Sequence, residues 1–179
     1  MLAWRSARTR DYASDYIASV KHYEPDTDIV LVDCNSEPPY PPQPEYRLVK
    51  VPQPLNIAKC LNAGIREATG DWLMFGNDDV LCQGRFADYV ESLDPNTLYG
   101  RVIVKKRLKF KGVPWDWYDT VYGWLTVMHR DLYNWLGALD ETKPNGGEDI
   151  EYSLRATNRG IPIKQAGVPF RHIHNHRRG

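Results

Sequence analysis

The sequence predicts a single α/β domain, with a mostly parallel central sheet flanked by helices. Three observations carry this. Short, wholly apolar runs occur at residues 29–32 and 72–75, as in strands buried on both faces of a parallel sheet. The stretches between such runs repeat their apolar residues with helical period, which is the alternation of a layered α/β structure. A length of 179 residues suits one domain with one substantial core.

Taken in order, a first strand is expected at residues 1–4. Tyr12, Tyr16, Ile17 and Val20 share one face of a helix over 11–22. The strand at 29–32 ends in the polar turn Asp33-Cys34-Asn35-Ser36. Five prolines in the seven residues 38–44 then exclude helix and inner strand, so a stiff surface loop follows. Residues 47–51 read as a strand. Ile57, Leu61, Ile65 and Ala68 mark a helix over 57–69, with Gly70 as its stop. The strand at 72–75 runs into Gly76-Asn77-Asp78-Asp79. Further strands are expected at 98–104 and 121–128, and a helix at 148–158, introduced by Asn145-Gly146-Gly147.

Composition narrows the function. Basic and acidic side chains balance at 23 each, which argues against binding nucleic acid or membrane through bulk charge. No apolar run reaches the length of a membrane span, and the first ten residues hold no signal-peptide core. The three cysteines, Cys34, Cys60 and Cys82, are odd in number and form no CxxC pair. No disulfide framework or zinc-thiolate site is therefore expected, and a reducing, cytoplasmic location fits best. Six Trp and eleven Tyr offer flat faces for sugars or bases, or simply packing.

Three polar constellations could carry chemistry. The turns at Asp33–Ser36 and Asn77–Asp79 both end buried strands, and ligands of open α/β sheets bind at the carboxyl ends of strands. Adjacent carboxylates there repel unless a cation or donors lie between them, and a hard divalent ion that also grips phosphate is the natural partner. The plainer reading is that Asp78 or Asp79 caps a helix or closes a turn. In Gly146-Gly147-Glu148-Asp149, two carboxylates sit at a helix N-terminus, where one could accept a proton from a hydroxyl or serve as a cap. His172, His174 and His176 alternate, so an extended strand puts them on one face, either to complete a metal site or as a solvated tail.

In order and spacing these segments resemble the GT-A glycosyltransferases, in particular glycosyltransferase family 2 and its chondroitin-polymerase-like and β-1,4-galactosyltransferase-like relatives. The resemblance runs through IVLVDCNS, PLNIAKCLNAGIREATGDWLMFGNDDV, YGWLTVMHRDLYNWLGALDE, GGEDIEYSLRATNRGI and VPFRHIHNH. It implies a Rossmann-like nucleotide-sugar half over about 1–80 and an acceptor and catalytic half over about 81–179.

The resemblance also implies roles. Arg5 and Ser6 lie at the first loop, after a first strand shorter than relatives have. Asp33 matches the base-contacting position, with Cys34 where many relatives have a second Asp. Asn56, Lys59 and Asn62 match the stretch that lines the nucleotide-sugar site. Asn77-Asp78-Asp79 matches the DxD motif, with Asp79 as a ligand of Mn²⁺ or Mg²⁺ and Asn77 and Asp78 toward the donor. His172 matches the histidine that completes the metal shell, with His174 as the other candidate. Asp149 matches the catalytic base of inverting members, Glu148 its acceptor-holding neighbour, and Gly147 the acceptor side. Trp115 and Trp117 are also expected on the acceptor side.

The function implied is metal-dependent, inverting transfer of a hexose from a nucleotide sugar, a UDP-sugar first among donors, to an acceptor hydroxyl. The acceptor is a glycan, or an anionic acceptor such as modified nucleic acid if Lys105, Lys106, Arg107, Lys109 and Lys111 form a basic strip. Two other readings of the same residues remain. A nucleotidyltransferase would need a triphosphate-binding loop, which the first turn lacks. A non-catalytic nucleotide- or carbohydrate-binding module would leave the NDD and GGED clusters without a reason.

Overall fold

The computed structural model describes residues 2–5, 11–34, 36–104, 109–110, 113–114, 119–142 and 146–173. Its elements run β1 (Leu2–Arg5), α1 (Tyr12–Tyr23), β2 (Val30–Asp33), β3 (Arg47–Lys50), α2 (Ile57–Glu67), β4 (Trp72–Phe75), β5 (Val80–Cys82) and α3 (Ala87–Glu91). They continue with β6 (Leu98–Val104), β7 (Lys109–Phe110), β8 (Val113–Pro114), β9 (Asp119–His129), α4 (Arg130–Leu136), α5 (Glu148–Asn158), β10 (Ile163–Gln165) and β11 (Phe170–His172). No helix among the described residues is long and apolar enough to cross a membrane.

Seven strands form one sheet in the order β10-β6-β9-β4-β1-β2-β3. Strand β9 is antiparallel to both neighbours, and the other pairings in this sheet are parallel. Two small antiparallel pairs, β5 with β11 and β7 with β8, stand beside it. The architecture is therefore mixed α/β, and the expected mostly parallel sheet is corrected to a mixed one, in which antiparallel β9 separates the parallel β10-β6 pair from the parallel β4-β1-β2-β3 portion. Among the described residues the β6-to-β9 connection holds only the short β7–β8 pair, and β9 returns alongside β6 in the opposite direction.

The apolar runs bury both faces of the sheet. Val30 and Val32 pack with Ala58, Leu61 and Ile65 of α2, whereas Leu31 points to the other side, with Tyr16, Ile17 and Val20 of α1. Leu73 and Phe75 of β4 divide from Met74 in the same way, as the two-residue strand period requires. Asp11 caps α1 by accepting from Ser14 N at 3.1 Å, and Asn56 caps α2 by accepting from Lys59 N at 2.8 Å. Helix α2 stops earlier than expected, at Glu67, because Ala68 is already extended (φ −67°, ψ 141°). Gly70 is not the stop; its carbonyl instead receives Arg130 at 2.7 Å, and that of Ala68 does so at 2.8 Å.

A bulge interrupts β9. Gly100 pairs with Thr126, but the next β6 residue, Arg101, pairs with Tyr122. Gly123, Trp124 and Leu125 are thereby displaced from the β6 ladder. The displaced backbone crosses two glycines. A Cβ on Gly76 would lie 2.1 Å from Trp124 O, and one on Gly100 would lie 2.5 Å from Leu125 O and 2.2 Å from Val121 Cγ1. Both positions need glycine for close approach rather than for unusual dihedrals.

Cys34 and Cys60 are joined by a disulfide. This corrects the expectation that the cysteines form no disulfide and removes the ground for assigning a reducing compartment. The odd count is resolved by Cys82, which is free and buried. Packing of α2 on β2 brings the two cysteines together, a proximity that their separation of 26 residues does not reveal.

Glu24 is buried and fastens α1 to α3. Its carboxylate accepts from Phe86 N at 2.8 Å and Ala87 N at 3.1 Å, with Arg85 at 3.7 Å. The helix-entry position, Phe86, supplies no side-chain cap of its own, so Glu24 does so from a distance. These amides, Ala87 foremost, hold its carboxyl below the ordinary range against the opposing effect of burial.

Two outcomes are expected. Gly76→Ala and Gly100→Ala each destabilise by about 2–4 kcal/mol, since backbone must move; a denaturant melt within 0.5 kcal/mol of wild type (about the noise of surface changes) would contradict the close crossing. Glu24→Ala costs about 1–3 kcal/mol at neutral pH. Because the folded carboxyl is depressed, that stabilisation is complete above its unfolded value of about 4.3 and is lost as pH falls through the lower folded value. Thermal melts of the two proteins should therefore converge on acidification, and a gap unchanged from pH 7 to pH 3 (roughly one unit below the unfolded value) would count against the charge.

Candidate functional site at the strand ends

The site forms where β1, β2 and β4 end. Arg5 pairs with Asp33 in strand register, and β4 passes through Gly76 into Asn77-Asp78-Asp79. Asp78 and Asp79 are buried, at 4% and 2% exposure. The β5–β11 pair closes this corner: His172 is in register with Val80, and Ile173 N donates to Asp79 O at 2.8 Å. Two segments some ninety positions apart in the chain are thus zipped so that His172 meets Asp79.

Asp79 Oδ1 and His172 Nε2 lie 3.0 Å apart. His172 Nε2 is buried and finds no hydrogen-bond partner among the described residues, so the contact is close without hydrogen-bond geometry. Two donors bound to one divalent ion at about 2.1 Å each, at right angles, would be separated by about this much. An oxygen and a nitrogen donor fit a cation such as Mn²⁺, and the nitrogen suits Mn²⁺ better than Mg²⁺. Among the described residues, no group of three or more His, Cys, Asp or Glu converges. His174, the other expected ligand, lies outside the described residues.

Asp149 is the second residue of α5. Gly146 and Gly147 precede it at φ 89° and 98°, a left-handed backbone that favours glycine. Asp149 Oδ2 accepts from Gly123 N at 2.9 Å, and Oδ1 accepts from Ile150 N at 2.8 Å. Glu148 Oε2 accepts from Gly146 N at 3.0 Å. The cap-like bonds expected of a plain helix start are therefore present. Burial, and secondarily the neighbouring Asp149, push the Glu148 carboxyl above its usual range. Gly123, Thr126, Glu148, Asp149 and Ser153 border a cavity of about 20 Å³, room for one water.

The remaining expected residues divide. Asp33 is buried, and its two oxygens accept from Ser36 N (2.8 Å) and Tyr40 N (3.3 Å), which shapes the turn. Lys59 is exposed on the first turn of α2. Asn56 Nδ2 donates to Glu141 O at 2.9 Å. Asn62 is fully buried: its amide donates to Leu139 O and Glu141 Oε1 and accepts from Leu139 N and Tyr133 Oη. All four hydrogen-bonding valences of Asn62 are thus used within the protein, and its role here is to hold the 139–141 loop. Ser6, Trp115, Trp117 and the run at 105–108 lie outside the described residues, as do the side chains of Arg5 and Lys109. The two roomier clefts, about 450 and 470 Å³, meet at His129, the opposite end of β4 from Asp79.

Sequence reasoning missed the β9 bulge. Trp124 O receives Asn77 N at 3.3 Å, and the Trp124 ring lies 5.4 Å from that of His172. Its neighbour Gly123 holds Asp149. The Asp79–His172 pair and the helix-start carboxylate therefore border the same dipeptide, although Asp79 is not among the residues that line the Asp149 cavity. The available signal was glycine within strand patterns, at Gly76, Gly100 and Gly123, which marks bulges and close approaches.

No protein-family model and no curated protein sequence matches the chain. Solved structures do. A mannosyltransferase from Pyrobaculum calidifontis, in complex with GDP-Man and Mn²⁺, superposes with a TM-score of 0.62 at 18% identity over 92% of this chain. The chain spans about half, 53%, of that protein. The catalytic domain of Drosophila beta1,4-galactosyltransferase 7, in complex with xylobiose, superposes with a TM-score of 0.62 at 16% identity, over 99% of this chain and 71% of that one. At such identities the likeness is one of architecture: this chain is built on the GT-A fold of these glycosyltransferases.

Proposed function

We propose that the protein is a metal-dependent, inverting glycosyltransferase that moves a sugar from a nucleotide sugar to an acceptor hydroxyl. The observation that carries this reading is the β9 bulge, which borders the Asp79–His172 pair through Trp124 and Asp149 through Gly123. The GDP-Man and Mn²⁺ of the mannosyltransferase complex support a nucleotide-sugar donor and a divalent ion. A UDP-sugar remains the donor proposed first, and a glycan the acceptor, in keeping with the xylobiose of the galactosyltransferase complex.

In this reading Asp79 and His172 hold the cation. Bound there, Mn²⁺ or Mg²⁺ supplies charge stabilisation to a departing nucleoside diphosphate. Asp33 keeps the loop after β2 in shape for the base, and Asn77 and Asp78 face the donor. Asp149 takes the proton of the acceptor hydroxyl while its oxygen bonds to the anomeric carbon and the bond to the diphosphate breaks. Attack opposite the leaving group inverts that carbon. The Gly123 and Ile150 amides fix the orientation of Asp149 during this step. Glu148, its carboxylate bonded to Gly146 N, lies beside Asp149 to help hold the acceptor.

Two substitutions test the division of labour. Asp149→Asn should lower turnover by about 10²–10⁴ and leave Mn²⁺-dependent donor binding intact. Asp79→Ala should remove the metal dependence of donor binding itself, read by calorimetry with a panel of UDP- and GDP-sugars. Full turnover in Asp149→Asn refutes the base, and wild-type protein that binds none of the panel refutes the reading.

A further inference from the structure

We infer that Ser153 is a positioning residue for Asp149: its buried hydroxyl pins α5 to β9 and so keeps the Asp149 carboxylate on the Gly123 amide. The catalytic meaning of the pin rests on the proposed glycosyltransferase reading, to which it adds a residue.

Strand β4 gives out before β9 does. Their last register pair is Phe75 with Thr126. The stretch Asp119–Tyr122 is paired with β6 on one side and, among the described residues, with no strand on the other. Two amides of this part of β9 are met instead by side chains of α5. Gly123 N donates to Asp149 Oδ2 at 2.9 Å, and Val121 N donates to Ser153 Oγ at 3.1 Å. The spacings agree. Two residues of strand rise about 6.6 Å, and four residues of helix rise about 6 Å. Asp149 and Ser153, one helical turn apart, can therefore reach Gly123 and Val121 together.

Ser153 is 1% exposed. Its hydroxyl accepts from Val121 N and gives its own proton to Asp149 O at 2.7 Å. A chain of bonds thus runs from β9 through Ser153 to the main chain of Asp149. Gly123 completes the arrangement by lacking a side chain. A Cβ there would lie 3.2 Å from Asp149 Oδ2 and 3.5 Å from Asp149 Cβ, so the carboxylate rests against bare backbone. Without the Ser153 hydroxyl, Val121 N loses its partner, and the carboxylate that takes the proton is left to hold α5 to the strand. A base has to stay within hydrogen-bond reach of the proton it removes, and small displacements are costly in rate.

The test compares Ser153→Ala with Ser153→Thr, which keeps the hydroxyl, on the wild-type and Asp149→Asn backgrounds. Release of nucleoside diphosphate from a panel of UDP- and GDP-sugars with Mn²⁺, water acting as acceptor, gives turnover. Calorimetry gives donor binding. Ser153→Ala should lower turnover by roughly 3- to 30-fold with donor binding as in wild type, and Ser153→Thr should regain most of the loss. On the Asp149→Asn background Ser153→Ala should cost nothing more, because the group it positions is gone. An equal loss on both backgrounds overturns the inference, since Ser153 would then only support the fold. Unchanged turnover in Ser153→Ala overturns it too. Amide hydrogen exchange on the wild-type protein requires neither a donor nor a variant that folds: the Val121 and Gly123 amides should be protected alike, well beyond exposed loop amides. Exchange at Val121 as fast as in a loop removes the pin, whatever the donors do. Wild type that binds no donor of the panel refutes the glycosyltransferase reading and takes the catalytic part of the inference with it, and the exchange rates tell that failure from a missing Ser153 bond.

Discussion

The site depends on a backbone crossing. Strand β9 departs from regular pairing after Thr126 and rejoins it at Tyr122, and its displaced residues lie directly over Gly76 and Gly100. No side chain could be accommodated between these strands. The crossing brings a main-chain amide to Asp149 and a main-chain carbonyl to Asn77. Hydrogen bonds from backbone that cannot shift are a sound way to hold carboxylates, because they impose direction without rotamer freedom.

A second layer of support lies behind α5. Arg155 pairs with Glu151 one turn earlier and reaches Ala138 O at 2.7 Å. Arg159 binds Trp135 O at 2.7 Å and lies over the Trp135 ring. These guanidinium groups satisfy the open carbonyls at the end of α4. The helix that presents Glu148 and Asp149 is thus fixed at its far end as well as at its start. None of these residues touches a substrate in the proposed reading; each limits how far Asp149 can wander.

Much of the framework was legible in the sequence because it is local. Strands β4 and β6 and helix α5 follow from apolar runs, periodicity and flanking glycines, and their observed limits match the expected ones. What was not legible is non-local. Strands β5 and β11 have three residues each and exist only through their pairing. Helix α4 follows β9 without an intervening turn, so no Gly or Pro announces it. The role of Asn62 illustrates the same limit: a motif position on a helix can face a ligand or the interior, and only packing decides. His172 was placed beside Asp79 by resemblance, and the register of β11 on β5 is the physical reason they meet.

The saturated amide of Asn62 has one more implication. It lies on α2, in the first eighty residues, yet every partner it holds belongs to the stretch from Tyr133 to Glu141. Strand β4 likewise finds neighbours in both β1 and β9. Cutting the chain near residue 80 would leave a polar group stranded in one fragment and an unzipped sheet edge in each. The stretches before and after residue 80 belong to a single folding unit, and neither should be expected to survive as an independent module.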